Sequence, residues 1–460
     1  MHSELEPDRA TRTLWAKGVL DYLDDFIDGL PAAPASWDRA AGASAAATEP
    51  PAAGPRPLPE LLTQVDGSVA AAVETAGPGY LAYFPAGGLY SSVLGELLAQ
   101  TVNRYTGVAS TAPGLVGLEQ SVVRWFCRQF GLPHGAGGLI TTGASLATLT
   151  AVHAARTARL RWPDPKAAIY LTEQTHHCVA KAARIAGFTD DQLRLVPVDA
   201  ELRMDVAAAR AAIERDRAGE WHPFLIVGTA GSTSTGTVDP LPEIAALAAD
   251  QGLWLHVDGA YGGGFQLTEY GRSLLAGVEL ADSITFDPHK SLFLPYGTGV
   301  LLVRDQATLR AAHSADGDYL QDLVRDPGLP DFADLGPELT RDSRGLRLWL
   351  PLHLHGVEAF RAALDEKLEL ARWAYDELRS DPHLDVPLRP DLTVIVAHST
   401  AGDDATRRLL DRVNAGRRVF LSSTRVAGRY AIRLCVLSHR THRDRVEEGV
   451  AAIRAAARRM

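Results

Sequence analysis

The sequence predicts an α/β fold: a mixed, mostly parallel sheet with helices on both faces, a smaller C-terminal α+β unit and an N-terminal helical segment. Three observations predict it. From about Tyr80 onward, short apolar runs bounded by Gly, Pro or Asp alternate with helical patterns, as in a sheet covered on both faces. A long helical stretch after Leu346 is followed by two further apolar runs with a helix between them, the order of a separate α+β unit. At 460 residues, the chain is also too long for one small core.

Residues 8–30 place Leu14, Val19, Leu20, Tyr22, Leu23 and Ile27 at mixed three- and four-residue steps, which predicts an amphipathic helix unable to bury its apolar face alone. Pro31 to Pro59 is rich in Ala and Pro and poor in large apolar groups. It reads as a tether, because burial there would not offset the entropy lost on ordering. The runs GLITT, AAIYLT, LRLVPV, PFLIVGT, LWLHVD, SITFD and GVLLVRD are the predicted strands, with segments such as LATLTAVHAARTARL as helices between some of them. Next comes LRLWLPLHLHGVEAFRAALDEKLELARWAYDEL as one long helical stretch, then DLTVIVAHS, a helix ending near Asn414, and YAIRLCVLS. The expected organisation is a helical segment with linker over 1–76, a large domain over 77–346 and a small domain over 347–460.

A net charge of -10 leaves no basic excess to neutralise phosphates, which argues against a nucleic-acid partner. Cys127, Cys178 and Cys435 lack C-x-x-C spacing, so neither a disulfide framework nor a metal site is expected. The start MHSELEPDRATRTLW is acidic where a signal peptide would be basic and then apolar, and no apolar run of membrane-spanning length follows. The expected setting is the cytoplasm, with no membrane partner.

In LHVDGAYGGGF a strand ends in Asp258, at the carboxyl edge where open α/β sheets bind ligands. In SITFDPHKSLFLPYGTGVLLVRD, Lys290 stands just past another strand. Alone, the acid reads equally as a turn former and the lysine as a surface charge. Together they fit pyridoxal phosphate, which needs a lysine for its imine and a carboxylate to keep its ring nitrogen protonated. GLITTGASLATLTAV adds a strand, the small residues Thr142, Gly143, Ala144 and Ser145, and a helix N-terminus suited to a phosphate dianion. The same string also fits an ordinary capped turn.

The ordered set TGAS, EQTHHCVAKAA, GTAGSTSTGTVDPL, HVDGAYGG and DPHK resembles the pyridoxal-phosphate-dependent group II amino-acid decarboxylases, the family of the aromatic amino-acid and glutamate decarboxylases. The likeness runs from PGYLAYFPAG to LRLCVLSHRTHRD. It implies fold type I, an amino-acid substrate and a homodimer, for which the unburied N-terminal helix is a second reason. By the same resemblance, His176 stacks on the cofactor ring and Ala260 packs on its other face, a geometry that holds the scissile bond perpendicular to the ring. Gly143, Ala144, Ser145 and His289 would hold phosphate, and Thr229 would lie near the ring hydroxyl. Tyr83, Phe84 and Pro85 resemble a segment lining the substrate pocket, although an aromatic core patch fits them too. The stretch Tyr296 to Thr298 would approach the site near a dimer interface. His177 reads as a capping or core histidine, and Arg433 either faces the substrate or pairs with an acid.

Many members carry a tyrosine on a loop after the cofactor lysine, where it can protonate the α-carbon. Here DPGLPDFADLGPELTRDSRGLRLW offers Phe332, which has no proton to give. Within the family, phenylalanine at this position goes with aldehyde synthases, in which the unprotonated carbanion meets dioxygen. Another register of the loop would displace Phe332 from that position. Ser291 stands where tryptophan is common, and Gly77 where a histidine often precedes the proline. In its Ala/Arg-rich composition and Ala/Pro linker the chain is also similar to lincosamide-pathway members acting on cysteine S-conjugates. The expected activity is therefore α-decarboxylation, with or without oxidative deamination. A β-eliminating lyase, with Lys290 as base, is the alternative.

Overall fold

The computed structural model describes residues 5–36, 50–51, 53–314 and 328–459. All seven runs predicted as strands of the large sheet are strands: β1 (Gly137–Thr141), β2 (Ala167–Thr172), β3 (Leu193–Val196), β4 (His222–Thr229), β5 (Trp254–Asp258), β6 (Ser283–Phe286) and β7 (Gly299–Val303). They lie side by side in the order β1-β7-β6-β5-β4-β2-β3. Pairs among β2 to β6 are parallel, whereas β7 runs antiparallel to both β6 and β1. The carboxyl ends of β1, β4, β5 and β6 and the start of β7 therefore share one edge.

Alternate residues of these strands enter two apolar cores. Leu225, Val227, Trp254, Leu301 and Val303 pack on one face, and Ile226, Leu255, Val257, Val300 and Leu302 on the other. Burial on both faces explains why the strands read as continuous apolar runs. Helix α1 (Arg9–Gly29) is capped by the Asp8 carboxylate, and α2 (Leu58–Ala70) opens on prolines at its first turn. Then α3 (Tyr90–Val102) and α4 (Pro113–Gln129) precede β1, and α5 (Ala144–Arg159) follows it.

The small sheet has the order β10-β11-β9-β8, all antiparallel, from β8 (Leu384–Asp385), β9 (Val394–Ser399), β10 (Ser422–Val426) and β11 (Arg429–Cys435). Its core includes Leu81, because Leu81 hydrogen-bonds through its backbone to Phe420 and Cys435. The segment leading to Tyr83 and Phe84 thus lies along the seam between the two sheets.

Three differences from the sequence reading have local causes. A helix not read from the sequence, α2, begins on the last two residues of the tether, since Pro59 suits a first helical turn as well as a linker. The long helical stretch breaks into Gly345–His355 and Val357–Arg379 at Gly356, whose φ of 74° lies in the left-handed region. Strand β10 was missed because its sequence, SSTRV, is mostly polar. Among the described residues, no helix is long and apolar enough to cross a membrane.

Candidate active site

At the shared strand edge lies a cavity of about 380 Å³, an ordinary size for a small-molecule site. Its wall includes Gly143, Ala144, Ser145, His176, Thr229, Asp258, Ala260, His289 and Lys290, all anticipated from the sequence, together with Phe84. Each sits at an end of an element. β1 delivers the glycine turn into α5, β4 delivers Thr229, β5 delivers Asp258, and β6 runs into the short helix Pro288–Ser291 carrying His289 and Lys290.

The turn is tightly made. Gly143 has φ 152°, and a Cβ on Gly299 would lie 2.5 Å from the Gly143 backbone and 2.8 Å from Asp287 Oδ1, so β7 can approach only through a glycine. The Ala144 N–H donates to Asp287 Oδ1 at 2.7 Å. One helix N–H expected to be free for a phosphate is thus already engaged by a carboxylate.

Asp258 is buried and accepts the Ala260 N–H at 3.0 Å. Lys290 Nζ lies 3.0 Å from Asp287 Oδ2 and 5.4 Å from the centre of the Phe84 ring. His176 accepts the Cys178 N–H on Nδ1 at 3.3 Å, which leaves its proton on Nε2. Burial lowers the His176 pKa, against the pull of Asp258. The Nδ1 of His289 lies 2.8 Å from the Thr298 carbonyl and so carries the proton donated there, and burial keeps this ring toward the neutral form. Thr229 is held at both backbone atoms by Asp239, while the hydroxyls of Thr229 and Thr298 are buried without a partner. Burial pushes the Asp239 pKa up to about 6.

The structure leaves some expected residues outside the cavity. Tyr83 is 62% exposed with φ 46°, and neither it nor Pro85 is on the wall. His177 is exposed at the start of the helix Cys178–Ile185. The expectation for Phe332 is corrected. Its ring is 1% exposed, packs in the core of the α5 face and lies under the Arg341 guanidinium at 4.5 Å. Its segment is pinned there because Asp331 accepts the Ala109 N–H at 2.7 Å. Residues 315–327 lie outside the described residues.

Residues 46–398 match the pyridoxal-dependent decarboxylase conserved domain. This chain belongs to the pyridoxal-dependent decarboxylase family. The decarboxylase is 32% identical to the aromatic-L-amino-acid decarboxylase of Bacillus atrophaeus over 83% of this chain and 81% of that one. It is 28% identical to the phenylacetaldehyde synthase of Arabidopsis thaliana over 85% of each. Its fold matches the crystal structure of Oryza sativa TDC with PLP and tryptamine at a TM-score of 0.94 and 26% identity, over all of both chains. It is an α/β carboxy-lyase of the aromatic amino-acid decarboxylase-like group, and its cofactor is pyridoxal phosphate.

Several wall residues of the decarboxylase were not anticipated: Asp287, Tyr261, Gly231 and Thr233. They sit within the motif strings, but as apparent turn formers or packing groups. Arg433, left open from the sequence, is buried. It donates from Nε to the Thr233 carbonyl at 3.0 Å and from Nη1 to the Tyr83 carbonyl at 2.6 Å, and its guanidinium lies 4.6 Å from the Phe84 ring centre. Its Nη2 has no partner.

Proposed function

We propose that this decarboxylase removes the α-carboxylate of an amino acid with an aromatic or apolar side chain and releases the amine. The observation that supports this reading most is the convergence of Lys290, Asp258 and His176 on one cavity at the sheet's carboxyl edge. The residues present fit the cofactor. Lys290 supplies the amine for its aldehyde, Asp258 the buried carboxylate for its ring nitrogen, and the unpartnered hydroxyl of Thr229 on the wall offers a hydrogen bond that nothing in the chain satisfies. When bound, pyridoxal phosphate supplies a ring that takes up the electron pair of the breaking α-carbon bond.

The remaining work falls to side chains. Asp258 lies where water is scarce, so a carboxylate there strongly favours a cationic ring N–H beside it. His176 and Ala260 are the pair proposed to bracket the flat ring. Gly143, Ser145 and His289 are the proposed phosphate holders, Ala144 having given its N–H to Asp287, and a dianion would supply the reason for His289 to gain a second proton. Arg433, off the cavity wall, is proposed to fix the Tyr83 and Thr233 backbones beside Phe84. The stacked rings of Phe84 and Tyr261, 4.3 Å apart, form an apolar wall for the side chain.

Amine release is proposed over aldehyde release because the residue basis for the latter, Phe332, lies in the core. A homodimer is part of the proposal. Neither α1 nor α2 buries a residue, yet they expose Leu14, Trp15, Val19, Leu61 and Val65. A panel of amino acids and cysteine S-conjugates, assayed for carbon dioxide, amine, hydrogen peroxide, ammonia and thiol, tests the reading. Carbon dioxide with equimolar amine is expected. Peroxide with ammonia would replace it with oxidative deamination, and thiol without carbon dioxide with β-elimination.

A further inference from the structure

Asp287 lies on the cavity wall, and none of the roles above uses its charge. Its carboxylate is buried at 2% exposure, in the turn between β6 and the helix Pro288–Ser291. The two oxygens face different partners. Oδ1 accepts the Ala144 N–H at 2.7 Å, which fixes the rotation of the group. Oδ2 is then turned to Lys290 Nζ, 3.0 Å away, with His289 Nε2 at 3.7 Å. A carboxylate this far from water persists as an anion only while a cation or several donors hold it. His289 is poorly suited to that task, since burial favours its neutral ring.

We propose that Asp287 is the counter-ion that holds the Lys290 amine as a cation whenever that amine is not joined to the cofactor. The proposal rests on the assignment of Lys290 above. It gives the cavity two carboxylates with separate tasks, Asp258 for the cofactor ring and Asp287 for the lysine. A lysine that carries a carbonyl group must release it each time a substrate amine takes its place. The released group then needs a fixed position. Held as an ammonium at 3.0 Å from Asp287, Lys290 stays within reach but is not a nucleophile, so it does not compete with the incoming amine.

The other charged or titratable groups around Lys290 are His289 on its own turn, Asp258 from β5 and Tyr261 just after it, His176 and Cys178 at the start of the helix Cys178–Ile185, and Arg433 from β11, which shares the Phe84 ring with it. Among the described residues, only Asp287 is within ion-pair distance of Nζ.

The test uses the full chain freed of cofactor. Limited acetylation by acetic anhydride across pH, read at the Lys290 peptide by mass spectrometry, reports the midpoint at which this amine loses its proton. Asp287→Asn keeps an oxygen for the Ala144 N–H but removes the charge, so the midpoint is expected to fall. Below the midpoint, the rate of recombination with pyridoxal phosphate should rise about tenfold for each pH unit of that fall. Asp287→Glu, which keeps the charge, should stay near the wild type. An unchanged midpoint in Asp287→Asn overturns the proposal. So does an equal fall in Asp287→Glu, which would mean that shape matters and charge does not, or a larger fall in Asp258→Asn, which would make Asp258 the counter-ion. Failure of the wild type to join cofactor at Lys290 would instead strike the assignment made in the preceding section.

Discussion

Phe332→Tyr separates a core position from a catalytic one. The substitution adds a hydroxyl at the ring edge, among Leu139, Leu301, Val303, Leu309 and Leu335, in a core from which water is excluded. The Arg341 guanidinium lies over the face of the ring, 4.5 Å from its centre, and not in line with the added hydroxyl. An unpaired buried hydroxyl costs about 1–3 kcal/mol. Forcing extra volume into a filled core costs on the order of 1 kcal/mol more. The expected total of about 2–4 kcal/mol should lower the urea midpoint of unfolding clearly. Product identity should not change, because the ring does not reach the cavity. Amine and aldehyde measured under air from the best substrate, with wild type and variant at equal folded concentration, provide the assay. A shift of the product ratio toward amine with an unaltered urea midpoint would refute the reasoning and return Phe332 to the chemistry.

Four further outcomes are expected. Asp258→Asn should retain cofactor but raise the barrier by about 3 kcal/mol or more, seen as a fall in kcat, because an amide cannot hold a ring cation; a loss below tenfold would assign the contact to another acid. Arg433→Met should raise KM by about tenfold through loss of the charged hydrogen bonds that hold the Tyr83 and Thr233 carbonyls beside Phe84, and an unchanged KM would show that these bonds do not shape the pocket. His256 is fully buried, with Nδ1 on Ser283 Oγ at 2.9 Å and a pKa pulled down to about 4 by burial. The unfolded chain therefore takes up this proton first. Stability from the group is complete above its unfolded pKa near 6.5 and is lost as pH falls toward 4, by about 3 kcal/mol at most; His256→Gln should flatten that acid arm in urea titrations, and an unaltered slope would contradict it. Finally, Leu14→Asp with Val65→Asp should weaken self-association in sedimentation without unfolding the chain, since both side chains are exposed; an unmoved oligomeric state would place the interface elsewhere.

The large sheet was legible because its strands are buried on both faces, which writes continuous apolar runs such as AAIYLT and FLIVGT into the sequence. Strand β10 was illegible for the opposite reason: its sequence is mostly polar. Asp258, His176 and Lys290 could be picked out because their motifs fall at strand ends or in short turns, where side chains are free to do chemistry. Asp287 stood in the same string as Lys290, yet only the fold shows that β6 and α5 bring its carboxylate between the Ala144 N–H and the lysine. Phe332 was placed by resemblance to a family loop, with another register open, and the sequence carries no record of the Asp331 hydrogen bond that draws the segment into the core.

The claim that organises all of this is that Lys290 carries the cofactor. The chain has five lysines, Lys17, Lys166, Lys181, Lys290 and Lys367, and only Lys290 lines the cavity. Incubation with pyridoxal phosphate, reduction with borohydride and peptide mass spectrometry should place the reduced cofactor on Lys290 at close to one per chain. Cofactor fixed on another lysine, or spread among the exposed ones with Lys290 unmodified, would contradict the account.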